Sequence, residues 1–172
     1  LSTMRYSQWE DFAAKLDEPL GQFIKIYRPA CFDRVGLRYV NAFSREQLGL
    51  VGRRWNDLLQ PSYLGVLDED DIDEGSVSKC SVDVERRLDA QSALKLHAGP
   101  GFVQRNVRNG NQVQRVQEKE VRFILDQDVY STAKVKVAAV PETLNALHGH
   151  ADQIFSDAIT TVLHDAMEPE YL

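Results

Sequence analysis

An arginine inside a β-strand can hold a carboxylate or a phosphate through two parallel N–H bonds. The stretch FDRVGLRYVNAFSREQ, Phe32 to Gln47, carries Arg34 and Arg38 with Asn41 close behind. Val35, Leu37 and Tyr39 alternate there with Gly36, Arg38 and Val40, the period of two of a strand buried on one face. That period puts Arg38 opposite Leu37 and Tyr39, whereas Asn41 shares the face of Tyr39. The arginine and the asparagine therefore cannot grip one ligand group from the same side. The spacing predicts that Arg38 pairs with an acidic residue on the adjacent strand and that Asn41 ends its own strand.

Other clusters invite other chemistries. His148, His150, Asp152, His164 and Asp165 offer imidazole and carboxylate ligands near one another. His148 and Asp152 lie four apart on one helical face, but His150 points elsewhere and His164 is four turns away, so a solvated or interface-facing helix edge is expected and no metal centre. The run DEDDIDE, residues 68–74, fails as a calcium loop because Ile72 falls on a ligand position and Asp73 stands where the turn needs glycine. Asp126 and Asp128, two apart on a strand, point to one side and could form a carboxylate pair; solvated carboxylates at a strand end are the simpler expectation. The sequence holds no Gly-x-Ser-x-Gly elbow, no phosphate-cradling glycine loop and no dinucleotide fingerprint. No catalytic residue and no cofactor is assigned, which weighs against an enzyme.

The charge distribution adds one further candidate. Residues 79–122 carry 9 basic against 5 acidic side chains, and residues 123–172 carry 2 against 8. Arg105, Arg108 and Arg115, among asparagines and glutamines, could contact phosphates and read base edges. Only Phe102 and Phe123 bracket that region, too few aromatic residues for a single-strand stacking platform. Glu118 and Glu120 interleave with the basic residues as in an ordinary exposed strand.

These residues need elements to position them. Ser7 and Glu10 form a capping box ahead of Trp9, Phe12, Leu16, Leu20, Phe23 and Tyr27 at helical spacing, with a kink or break expected near Asp17–Pro19 and an end at Pro29. A second box, Ser44 with Gln47, predicts a helix to about Leu58, although Gly49 and Gly52 weaken it. The acidic segment 68–76 reads as a mobile loop. Strands follow around Cys80 to Glu85 and around Leu94 to Leu96, with AGPG at 98–101 turning the chain and Asn109-Gly110 suited to a hairpin turn. Val121, Phe123 and Leu125 mark the inner face of a further strand. From Pro141 a 3-4 apolar spacing runs through Leu144, Leu147, Ala151, Ile154, Ala158 and Leu163, a helix of about 25 residues able to lie across a sheet.

The order predicts an α+β fold: an antiparallel sheet of about four to six strands, helices on one face, and a long C-terminal helix in a helix-grip-like arrangement. At 172 residues, 43% hydrophobic and 27% charged, the chain suits a single soluble domain spanning 1–172. No apolar stretch is long enough to span a membrane and no signal peptide opens the sequence, which predicts a cytoplasmic location. Cys31 and Cys80 are too few for a disulfide framework and read as reduced thiols.

YSQWEDF, RVGLRYVN, FILDQDVY and the Leu147-His148 pair followed by Phe155 together resemble an uncharacterised, sporadically distributed family of prokaryotic proteins, over about Ser7 to Thr161. VGLRYVN is the most specific piece. Members of that family are generally longer, so the resemblance implies that this chain corresponds to the C-terminal part of such a protein. It implies no activity, cofactor or catalytic residue.

A missing portion that supplied strands would leave a sheet edge exposed, and such an edge pairs readily with another chain. The leading expectation is therefore a non-enzymatic interaction module that assembles with a protein partner or with itself. A small-molecule or catalytic pocket between sheet and C-terminal helix is the alternative, with Arg38, Tyr39, Asn41 and His148 as its first residues. Nucleic-acid binding through the 105–122 hairpin is the third.

Overall fold

The computed structural model describes residues 1–4, 6–109 and 112–167, and for residues 105–109 and 112–113 it describes the backbone. Helix α1 (Trp9–Tyr27) leads into strand β1 (Cys31–Phe32) and strand β2 (Gly36–Phe43). Strands β3 (Val82–Arg87), β4 (Ser92–Asn109), β5 (Gln112–Ser131) and β6 (Val135–Lys136) follow a long irregular connection. Helices α2 (Val140–Ala158) and α3 (Thr161–Ala166) complete the described chain. Strands β2, β5, β4 and β3 form a four-stranded antiparallel sheet in that order, and β1 pairs with β6 in a separate two-stranded one. This is the α+β arrangement expected, with a long helix packed on the sheet.

Strand β5 shows why the sheet has two unlike faces. Phe123, Leu125, Gln127 and Val129 are buried, while Ile124, Asp126, Asp128 and Tyr130 between them are partly exposed. The buried set meets Leu37 and Phe43 of β2 and Leu94, Leu96 and Ala98 of β4, and against this layer α2 lays Val140, Leu144, Leu147, Ala151, Ile154 and Ala158. Removing such a layer from water is the main favourable term in folding, on the order of 1.5–3 kcal/mol for each large side chain. The other face carries a ladder of charges described below.

Several local expectations are corrected. Ser7 does not cap α1: its N-cap is Gln8, without a side-chain bond, and Ser7 Oγ donates to Asp11 instead. The helix also runs through Pro19 without interruption. Proline there leaves the Lys15 carbonyl unbonded, but Lys15 and Pro19 are both exposed, so water can take the bond. The turn at 98–101 is absent, because Ala98 to Gly101 continue β4. Pro100 stands just past Ala98↔Val82, where β3 stops pairing and β4 has a free edge, a usual place for a strand proline. A Cβ on Gly99 would collide with the Cys80 carbonyl oxygen, so only glycine fits this close approach. Gly110 of the Asn109-Gly110 turn lies outside the described residues; the flanking pair Asn109↔Gln112 is in register.

The helix expected from Ser44 to Leu58 is also not formed. Ser44 Oγ does accept from the Gln47 N–H at 3.0 Å, yet Gly49 and Gly52 adopt left-handed φ angles of 69° and 88°, and the chain leaves the helical path. Short 3-10 turns at Trp55–Asp57, Pro61–Tyr63 and Gly65–Asp68 replace it, burying Trp55, Leu58, Leu59, Leu64 and Leu67.

The C-terminal helix is two helices. Ile159 is extended (φ −97°, ψ 153°) and bridges Leu59, the Ala158 carbonyl accepts from the Gln60 N–H, and the Thr160 N–H donates to Leu58. Thr160 Oγ1 donates to the Asp57 carbonyl at 2.7 Å and caps α3. No helix of the described residues is long and apolar enough to cross a membrane.

Candidate functional site

The two faces of the sheet separate the residues that the sequence placed together. On the outer face Arg38 makes a paired bond to Asp126, with Nε to Oδ1 at 2.8 Å, and Arg34 grips both oxygens of Asp128 at 2.8 and 2.7 Å. The expectation that Arg38 would meet an acid on the neighbouring strand holds. Asp126 and Asp128 point to one side near the end of β5 as expected, but instead of being merely solvated each is paired with its own arginine. The ladder continues with Lys95 beside Glu85 and His97 on Asp83 at 2.7 Å. The hydrogen bond from His97, then that from Ser81, holds the Asp83 carboxyl below its ordinary range. Every charge named here has an opposite neighbour and is committed to it.

The inner face differs. Tyr39 and Asn41 leave β2 on the side of α2, and between strand and helix lies a cavity of about 210 Å³ that also touches Tyr6, Gln127, His148, Asp152 and Phe155. The Tyr39 hydroxyl shares a 3.1 Å hydrogen bond with His148 Nδ1 and lies 3.5 Å from the Tyr6 hydroxyl. Behind His148, Trp9 of α1 stacks on the imidazole at 4.7 Å and 15°, and its indole N–H donates to Asn145 at 3.0 Å. This backing fixes the plane of the imidazole. Burial, then the bond with Tyr6 and the charge of Asp152, push the Tyr39 hydroxyl well above the ordinary tyrosine value, so it stays protonated.

Gln127 is the residue that sequence reasoning missed. It is 1% exposed, and its Oε1 is buried without a hydrogen-bond partner. An unpaired buried acceptor costs about 1–3 kcal/mol, and a group of this kind beside a cavity calls for an explanation. Its signal was available: in Phe123-x-Leu125-x-Gln127-x-Val129 it is the one polar residue of that run on the buried parity. Asn41 and Asp152 likewise make no side-chain hydrogen bond among the described residues. Three polar side chains therefore converge on one cavity with unused capacity, each with an oxygen that can accept a donor from a ligand.

Of the four pocket candidates, Tyr39, Asn41 and His148 are brought together, while Arg38 lies on the opposite face. The histidines do not gather: His150 bonds Asp89 at 2.8 Å and His164 lies 3.2 Å from Asp165. Among the described residues no group of three or more His, Cys, Asp or Glu could hold a metal ion.

Two other regions were candidates. Beyond Pro100↔Phe123, β4 and β5 leave the sheet as a two-stranded ribbon reaching Asn109↔Gln112. Arg115 is exposed on it, the side chains of Arg105 and Arg108 lie outside the described residues, and Arg122 is engaged with Glu118 and Glu120. An open cleft of about 780 Å³ runs beside the acidic segment. Its Arg45 lies 4.1 Å over the Trp55 ring and bonds Glu74, Arg54 bonds the carbonyls of Glu69 and Ile72, and Glu74 accepts from the Trp55 N–H. These groups spend their capacity holding segment 68–76 in place.

Compared with known proteins, the chain matches no family model, no curated protein and no solved structure.

Proposed function

We propose that the protein is a non-enzymatic binding module that holds a small molecule in the cavity between β2, β5 and α2. The observation that carries this reading is the buried, partnerless Oε1 of Gln127 at the cavity between sheet and helix. A ligand N–H or O–H would remove its desolvation cost, which ties ligand binding to stability. Tyr39 and His148 supply a positioned hydroxyl and imidazole, and Trp9 holds the latter flat. Among the described residues, no serine, threonine, cysteine or lysine lines the cavity, so the side chains most often used for covalent catalysis are missing from its wall.

The cavity is below the roughly 300–1,000 Å³ of sites for drug-sized ligands. At about 30 Å³ per water it has room for roughly seven water molecules, the scale of a small metabolite. Native mass spectrometry of protein purified without added ligand, followed by a denatured spectrum, tests the reading. Added mass that disappears on denaturation supports it. A bare chain whose Tyr39, Gln127 and His148 resonances ignore a library of small donor-bearing fragments overturns it.

A second reading rests on a separate observation. The ribbon of β4 and β5 has no strand beside either edge among the described residues, and it exposes Phe102 and Val116. Such edges pair with other strands, and self-association through the ribbon is the form of assembly that this favours. A concentration-independent monomer mass in light scattering would remove it.

A further inference from the structure

We infer, on the premise that the cavity beside Gln127 is a ligand site, that its ligand is a small organic cation, an amine or amidine carried on a compact apolar or aromatic body. Charge comes first. The cavity wall contains the carboxylate of Asp152 and no lysine or arginine. The nearest arginine in sequence, Arg38, is turned to the far face and committed to Asp126. An anionic ligand would therefore meet a carboxylate with no lysine or arginine of the lining to offset it, an arrangement that selects against it.

Asp152, an exposed residue of α2, has no ion pair and no side-chain hydrogen bond among the described residues, which leaves its carboxylate free to meet a cation at the cavity. This contrasts with Asp126, Asp128, Asp83 and Asp89, each of which is paired with a basic side chain or imidazole. Asp152 is also close enough to Tyr39 to act on its hydroxyl.

The rest of the wall fits the same ligand. Tyr6 and Tyr39 meet edge to face, with centroids 5.4 Å apart, and Phe155 stands further along. Aromatic faces beside a carboxylate are the surroundings that attract ammonium and guanidinium groups. Gln127 Oε1 and Asn41 Oδ1 accept the N–H bonds that such a cation carries in excess, whereas an ether or an ester would leave Gln127 unsatisfied. A charged donor strengthens each of those bonds roughly twofold over a neutral one.

Three probes of one shape separate charge from fit: benzylamine, benzyl alcohol and benzoate, titrated into the intact chain and followed through the side-chain amides of Asn41 and Gln127 by NMR. Benzylamine is expected to saturate at a concentration about tenfold lower than the alcohol, and benzoate to cause no change. In Asp152→Asn the amine should fall to the level of the alcohol, with the alcohol unchanged. Asp157→Asn, on the same helix but outside the cavity, should behave as the parent protein. If alcohol and amine bind alike, or Asp152→Asn leaves the amine unaffected, the cation inference fails while the pocket stands. If none of the three moves these amides, the inference fails; loss of the pocket itself also requires the bare native mass described above.

Discussion

Replacing Gln127 by methionine should make the unliganded protein more stable and deprive it of its ligand. Methionine keeps the unbranched length of glutamine, and swaps that conserve volume in a core usually cost under about 1.5 kcal/mol. The wild-type amide instead carries a buried acceptor with no partner, worth about 1–3 kcal/mol of penalty. Taking about 2 kcal/mol recovered and about 1 kcal/mol lost in refitting the site leaves a net gain of about 1 kcal/mol. For a chain of this length that raises Tm by about 2–4 °C. Urea unfolding at neutral pH measures the difference directly, and the benzylamine titration measures the loss of binding. A variant destabilised by 1 kcal/mol or more would show, at that order of magnitude, that the amide is satisfied in the free protein, and the case for a ligand donor at this position would go with it.

Arg38→Ala should cost about 0.5 kcal/mol, since the pair with Asp126 is on the surface and the arginine side chain is 63% exposed; ligand binding should not change, and a large loss would place Arg38 at the site after all. Glu120→Gln should flatten the acid side of the stability curve. Burial alone would raise the Glu120 carboxyl, but the N–H of Glu46, the Ser44 hydroxyl and Arg122 outweigh it, so the folded value is lowered. Its stabilisation is therefore present above the unfolded value of about 4.3 and lost as pH falls through the lower folded one. Urea midpoints at pH 7 and pH 3 should differ less in the variant than in the parent. Thr160→Val should cost about 1 kcal/mol, because the hydroxyl both bonds the Asp57 carbonyl and caps α3, and hydrogen exchange should rise at Leu163 and Leu58 together.

The strands were legible where one face is buried and the other wet. Parity placed Leu37, Tyr39 and Asn41 on one side and Arg38 on the other, and the same parity would have exposed Gln127 had the flanking Asp126 and Asp128 not made the stretch read as a polar strand end. Local signals failed where the surroundings outweighed them. Ser44 makes its cap bond, but two left-handed glycines end the turn it starts, and Leu58, Leu59, Leu64 and Leu67 reach the core through 3-10 turns. The 3-4 apolar spacing continues through Ile159 and Leu163 because α2 and α3 face one core, so periodicity cannot reveal a bend that leaves the buried side unchanged. Pro100 reads as a turn because sequence does not show where a neighbouring strand stops.

The clasp between residues 57–60 and 158–160 also sets an order of events. Asp57 and Thr160 are 103 positions apart in the sequence, and contacts of such long range form slowly because the intervening chain must first be closed. The irregular connection between β2 and β3 has no ladder of its own to hold it. During synthesis the sheet can assemble once β5 has emerged, whereas Trp55, Leu58 and Leu59 must wait for Ile159 and Thr160 before the layer they cover is sealed. Until then α2, which precedes Ile159 in the chain, can already lie over β2 and β5, while the layer beneath Trp55, Leu58 and Leu59 stays open to water.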